Sequence, residues 1–332
     1  MAKRPKKPSE QVSKLSEALQ FLSLLTKKTG APNETHIKLV NKWAVAFNGI
    51  IAAGQPINED LSACPHAQTL PEALTKCGLQ FTIEQPAEHK LVLKSGKFKA
   101  NIPCINTELL YVGNIDNSNY DLNERFMEGL GAINIMPNEN GQQVHLVSLL
   151  MNGQSIIATN GTMILEYWHG LDLPSGLAIP KDFATALVKS KKKSVGLGCS
   201  KSTITVHFDD RSWLRTQLYA DVWPDVRPIL NRPCEPEPMP ADFFQGLVSI
   251  VPFSTDGLVH FGNGLILSHA SEDAGASYAV PGLQAGPIFP ADQLKLCQPY
   301  MQKVDWQAKA DFGTMAMFFG EKIRGAIMSR QR

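Results

Sequence analysis

The chain has 332 residues, 43% of them hydrophobic and 19% charged, and its formal charge of +1 excludes a polycation that coats nucleic acid by bulk attraction. Six scattered cysteines without a C-x-x-C pair predict intracellular free thiols rather than a disulfide framework or a zinc ribbon. With no run of about 18 apolar residues and no apolar segment behind the basic start, neither a membrane span nor a secretory signal is expected, and the predicted location is cytoplasmic.

Residues 1–10 carry Lys3, Arg4, Lys6 and Lys7 with two prolines, which predicts a basic flexible tail serving either as a nucleic-acid contact or as a solubilising extension. Val12, Leu15, Leu19 and Leu22 recur at helical spacing. Ile37, Leu39, Val45 and Phe47 mark a strand pair around Trp43, with Asn48-Gly49 as its turn. Pro71 falls in the first turn of a second helix, where its missing N–H is tolerated, and short strands follow near 80–84, 89–94 and 97–102. The same order then returns. A helix is predicted over 122–134, and strands at 143–151 and 154–159 meet at Asn152-Gly153. Asn160-Gly161 leads into a strand over 163–168, and a helix runs from Pro180 to about Lys191. Strands follow at 194–198, 203–208 and 212–219. Four prolines within 231–240 read as a linker. A helix over 241–250 and strands near 258–261 and 264–269, flanking Asn263-Gly264, open a third round.

The rounds share a period. Leu70-Pro71, Ile179-Pro180 and Phe289-Pro290 each head a helix-like run, and their prolines lie 109 residues apart, from 71 to 180, and then 110, from 180 to 290. A strand-like run ending in Asn-Gly stands upstream of each, at Asn48-Gly49, Asn160-Gly161 and Asn263-Gly264. A domain-sized period predicts three tandem copies of one α+β domain, each with two helices on one face of an antiparallel sheet. The expected boundaries are 11–117, 118–233 and 234–332.

Catalytic or metal chemistry finds little support in the residues. Cys64-Pro65-His66 is the one close Cys/His pair, and no second pair stands at metal spacing. His145, His207 and His260 sit inside strand patterns, where a structural histidine is the plainer reading. Asp209-Asp210 would point to opposite sides of a strand, or lie solvated in a turn. Gly196-Leu197-Gly198 and Gly262-Asn263-Gly264 lack the Lys-Ser/Thr and the following helix of a phosphate loop, and no Gly-x-Ser-x-Gly elbow occurs. The expectation is a non-catalytic protein without cofactor or metal.

The middle copy resembles the central domain of the bacterial DNA polymerase III beta-subunit sliding clamps. The resemblance rests on SIIATNGTMIL at 155–165, SGLAIPKDFATALVKS, and ITVHFDDRSWLRTQLYADVWPDVRPIL, which runs through Trp223-Pro224-Asp225-Val226. The outer copies resemble the flanking clamp domains more loosely, through the period and the turns. Asn160 replaces the family's aspartate, and Thr162 and Met163 replace its basic residues, which suggests a divergent, phage-encoded member.

That resemblance implies a homodimeric ring that encircles double-stranded DNA without reading sequence and tethers a DNA polymerase. Clamp helices line the hole, so it implies DNA contacts at Lys27, Lys28, Lys76, Lys181, Lys189, Lys191, Lys192 and Lys193. The subunit interface would join the first and third copies, with the strand at 97–102 as one edge. The polymerase and the clamp loader would dock a short linear motif in a pocket matching Leu146, Thr159, Gly161, Ile164, Pro224, Ile229, Ile327 and Met328. The alternative is a clamp-fold interaction scaffold that does not encircle DNA.

Overall fold

The computed structural model describes residues 13–77, 80–110, 112–134, 136, 141–271, 273–311 and 313–330. The predicted basic tail, Val12 of the predicted first helix and Gln331-Arg332 lie outside the described residues. Ser13 caps the first helix, its hydroxyl accepting from the Ser16 N–H at 3.1 Å, and Leu15, Ala18, Leu19 and Leu22 bury one face.

Three times the chain runs helix, short helical turn, four strands, helix, three strands. The first copy comprises α1 (Lys14–Leu22), α2 (Pro32–Thr35), β1 (Lys38–Val40), β2 (Trp43–Phe47), β3 (Ile51–Pro56), β4 (Ser62–Pro65), α3 (Thr69–Thr75), β5 (Thr82–Ala87), β6 (Lys90–Ser95) and β7 (Phe98–Ile105). The second adds a short opening strand: β8 (Tyr120–Asp121), α4 (Glu124–Ile133), α5 (Val144–Val147), β9 (Ser148–Asn152), β10 (Ser155–Thr159), β11 (Met163–Trp168), β12 (Ser175–Pro180), α6 (Lys181–Ser190), β13 (Ser194–Cys199), β14 (Thr203–Phe208) and β15 (Trp213–Gln217). After α7 (Arg227–Leu230) the third holds β16 (Glu237–Pro238), α8 (Phe243–Ile250), a 3-10 turn (Val251–Phe253), β17 (Leu258–Gly262), β18 (Leu265–Leu267), β19 (Ser277–Ala279), β20 (Ile288–Pro290), α9 (Ala291–Cys297), β21 (Lys303–Ala310), β22 (Gly313–Phe319) and β23 (Ile323–Met328).

The chain divides into two compact units, and the division falls inside the middle copy. Unit 1 takes residues up to Met127 with Asp182–Leu218, and holds an eleven-stranded sheet in the order β5-β6-β7-β4-β1-β2-β3-β15-β14-β13-β8. Unit 2 takes Glu128–Lys181 with Tyr219–Arg332, and holds an eight-stranded sheet, β12-β9-β10-β11-β23-β22-β21-β16, and a four-stranded one, β19-β18-β17-β20. Every pairing between these strands is antiparallel, as the α+β reading requires.

Adjacent copies are stitched by strand pairing. In unit 1, β3 pairs with β15, and in unit 2, β11 pairs with β23. A glycine stands opposite a bulky residue at each stitch. Gly54 faces Trp213, and a Cβ on it would sit 2.5 Å from the indole. Gly325 faces Leu165, where a Cβ would sit 2.5 Å from the Ile164 carbonyl oxygen and from the Phe318 ring. The strands equivalent to those in the stitches, β7 as the last strand of the first copy and β19 as the third of the last copy, have no such partner among the described residues. β7 pairs with β6 over Phe98–Pro103 but meets β4 only at Cys104 and Ile105, so its other edge is open over 98–103. β19 pairs with β18 alone.

Several expectations need correction. Pro180 and Pro290 end strands directly before a helix, but Pro71 is the third residue of α3, and Pro65, at the end of β4, holds the equivalent place. The repeating element is a strand that stops at a proline because the missing N–H ends the ladder. Residues 144–147, predicted as strand, form α5, so His145 lies on a helical turn. The first strand pair turns at Asn41-Lys42, whose φ angles of 50° and 61° suit a type I′ turn, while Asn48-Gly49 joins β2 to β3. Asn263-Gly264 joins the first two strands of its copy, and its counterparts are Asn41-Lys42 and Asn152-Gly153 rather than Asn160-Gly161. The proline-rich linker contains β16, paired with β21.

Candidate functional site

The residues matched to a peptide pocket all belong to unit 2. Thr159 ends β10, and Asn160-Gly161-Thr162 turn the chain into β11. The Asn160 Oδ1 accepts from the Thr162 N–H at 3.1 Å, the Met163 N–H at 2.8 Å and the Thr162 hydroxyl at 3.1 Å. The Thr159 hydroxyl donates to the Met163 carbonyl at 2.7 Å and accepts from the Gly161 N–H at 3.1 Å. An amide oxygen fills this turn as a carboxylate would, so asparagine in place of aspartate leaves it intact. Gly161 has a φ of 88°, and a Cβ there would lie 3.4 Å from Leu146 Cδ2, which sets α5 against the turn.

Ile164 reaches from β11 into a buried cluster with Leu150, Trp223, Val226, Leu230 and Ala326, and Val144 and Met328 pack on its margin. The Trp223 indole N–H donates to the Ser148 hydroxyl at 2.9 Å, and its ring stands 6.1 Å from that of His145. These contacts fix the segment before α7, which leaves Pro224 exposed and Ile229 40% exposed. Ile164, Trp223 and Val226 thus belong to one apolar cluster with Met328 packed against it, and Leu146 stands at the Gly161 turn that leads into the strand of Ile164. Ile327 does not share the cluster. Fully buried, it stands opposite Met163, whose Sδ lies 3.4 Å from the Cys297 Sγ on α9. Strand alternation puts Ile327 on that helix-covered face, and Ala326 takes the place assigned to it. Trp223, Val226 and Ala326 were missed. The signals were there, in the i, i+3, i+7 spacing of Trp223, Val226 and Leu230 and in the alternation of Ala326 with Met328.

Most of the lysines matched to DNA contact lie in unit 1. Lys28, Lys76, Lys189, Lys191 and Lys193 are exposed. Lys27 is paired with Glu34 at 2.5 Å. Lys192 is an anchor: its ammonium pairs with Asp210, donates to Gln55 Oε1 at 3.1 Å and lies 4.6 Å over the Phe21 ring. Burial opposes charge on Asp210, but the hydrogen bonds from Lys192 and Ser212 outweigh it and hold the carboxyl below its usual range. Lys181, the last residue of its segment of unit 2, opens α6, whose other residues lie in unit 1.

No family model and no curated protein sequence matches the chain. Solved structures do. The Helicobacter pylori beta clamp bound to a DNA ligase peptide superposes with a TM-score of 0.76 at 14% identity, over 96% of this chain and 99% of that one. The Bacillus subtilis DNA polymerase sliding clamp gives 0.79 at 13% identity, and the Pseudomonas aeruginosa clamp with ligand 0.79 at 14%, each over 96% of this chain and 97% of its own. The chain has the sliding-clamp fold. In this sliding-clamp fold the residues weighed for chemistry have structural surroundings. Burial, with Cys104 adding to it, pushes the Cys64 thiol up to about 12, and the His36 and His66 rings meet edge-to-face at 5.2 Å. Among the described residues no group of three or more His, Cys, Asp or Glu side chains could hold a metal ion, and no helix is long and apolar enough to cross a membrane.

Proposed function

We propose that the chain is a DNA sliding clamp, a processivity factor in which two copies close head to tail around duplex DNA. The observation that carries the reading is the pairing of copies through strand edges. β3–β15 and β11–β23 use the same two edges of the repeat, and β7 and β19 are the edges left over. Pairing β7 of one protomer with β19 of its partner repeats the stitch a third time and closes a cyclic dimer. The domains are 11–117, 118–233 and 234–332. Lys28, Lys76, Lys181, Lys189, Lys191 and Lys193 meet phosphates, while Lys27 and Lys192 serve structure through their carboxylate partners.

A polymerase or clamp loader docks a short peptide on an apolar surface at Leu146, Thr159, Gly161, Ile164, Pro224, Ile229 and Met328. The H. pylori neighbour carries a DNA ligase peptide, which supports a ligand of that kind. Removing residues 327–332 is a poor test, because Ile327 is core. Ile229→Asp is a better one: it should weaken binding of a polymerase-derived peptide more than about tenfold without shifting the melting temperature.

The deciding experiment is retention on circular DNA after loading. A topological link is lost when the circle is cut, and equal retention on cut and uncut DNA would sink the ring. A second reading, a scaffold that does not encircle DNA, is favoured by the apolar side chains exposed on the helices of the third copy, Val248 and Leu296.

A further inference from the structure

The helices of the two units differ in what they offer a nucleic acid. In unit 1, α1 is a ridge between two grooves. One, of about 480 Å³, lies against α3 and is lined by Leu19, Ala67, Pro71 and Leu74 as well as by Lys28, Gln20 and Ser23. The other, of about 430 Å³, lies against the end of α6 and holds Lys189 and Lys191, again beside Gln20 and Ser23. Lys14 on α1 and Lys76 at the end of α3 are exposed on the same helices. One carboxylate lines each groove, Glu72 in the first and Glu17 in the second. The Ser23 hydroxyl is spent on the Gln20 carbonyl at 2.6 Å, so the lysines in both grooves and the Gln20 amide on the ridge between them are what two runs of phosphate would meet.

The equivalent helices of the third copy, in unit 2, are α8 and α9, with the 3-10 turn between α8 and β17. Across 241–253 and 291–297 the sequence has Lys295 as its one basic residue, against Asp242 and Asp292. Val248 is 57% exposed there, Phe253 59% and Leu296 40%. Such side chains offer a phosphate neither charge nor a hydrogen bond, and a strongly hydrated anion gains nothing by approaching them.

We infer that duplex DNA is held one-sidedly, its phosphates running along the two grooves that flank α1 in unit 1, with no phosphate contact on the α8–α9 face of unit 2. This rests on the sliding-clamp reading and adds which part of the chain meets the duplex.

The test is lysine protection. The full chain is acetylated with and without a short linear duplex at low salt, and each lysine is read by peptide mass spectrometry. Lys28, Lys189 and Lys191 should be protected while Lys295, also exposed, reacts as in the free protein. In parallel, the K28E/K189E/K191E variant should bind the duplex at least about tenfold more weakly, with a salt slope shallower by about one for each phosphate it no longer neutralises, while K295E binds like wild type. All four positions are exposed, and an unchanged melting curve checks that the variants fold. Protection of Lys295 equal to that of Lys28, or an equal weakening in K295E, would overturn the one-sided site while leaving the clamp reading standing. No protection anywhere, with every variant binding alike, would remove the DNA reading and this inference with it.

Discussion

His169 is 1% exposed, and its Nδ1 accepts from the Leu171 N–H at 3.1 Å, an arrangement that needs the neutral ring. Burial lowers its pKa to about 4, and a backbone hydrogen bond at Ser155 opposes that only in part. Below pH 6.5 the unfolded chain takes a proton that the folded chain refuses. This contribution to stability is therefore whole above about pH 6.5 and declines towards about pH 4, by up to roughly 3 kcal/mol. Urea titrations at about pH 7.5 and 5 should show the loss, and His169→Gln should shrink the difference between them; an unchanged difference would mean that other groups set the acid limb. Glu166 is the second residue of consequence. Its Oε2 accepts from the Arg324 Nε and Nη2, both at 2.8 Å, and its Oε1 from the Ser155 hydroxyl at 2.8 Å, while the guanidinium lies 4.8 Å over the Trp168 ring. Glu166→Ala strands a half-buried cation and should cost roughly 3 kcal/mol, whereas the double variant Glu166→Leu/Arg324→Met should recover most of it.

At the scale of elements, the two stitches make the clearest prediction. Because Gly54 and Gly325 each leave less than a Cβ of room, Gly54→Leu and Gly325→Leu should each destabilise their own unit by roughly 1–3 kcal/mol or more, read as an earlier transition in denaturant. Loss in only one would mean that the sheet can part at the other stitch. Neither glycine could be picked out in the sequence, since each depends on what a strand distant along the chain brings opposite it. The helices were legible because Leu15, Leu19 and Leu22 repeat at helical spacing, and the strands of the middle copy because turn residues bracket them. The order of strands was not. Asn263-Gly264 and Asn160-Gly161 look alike in sequence, yet they turn different strand pairs, because a two-residue signal specifies a turn and not its place in a sheet. The Trp223 cluster was half legible: its spacing was visible, but that Ala326 rather than Ile327 joins it follows from the register of β23 against β11.

At the scale of the molecule, the expectation is a particle of about twice 36.4 kDa in sedimentation, and a monomer at all concentrations would contradict head-to-tail closure. The open edges of β7 and β19 carry one more consequence. A backbone edge that is satisfied only by another protein molecule ties folding to mass action: the assembled form gains free energy as the logarithm of concentration, and the lone chain does not. The melting temperature should then climb as the protein is concentrated, and a dilute sample should present unpaired ladder groups ready to template wrong pairings. For such a chain, its abundance in solution becomes one of the determinants of its stability.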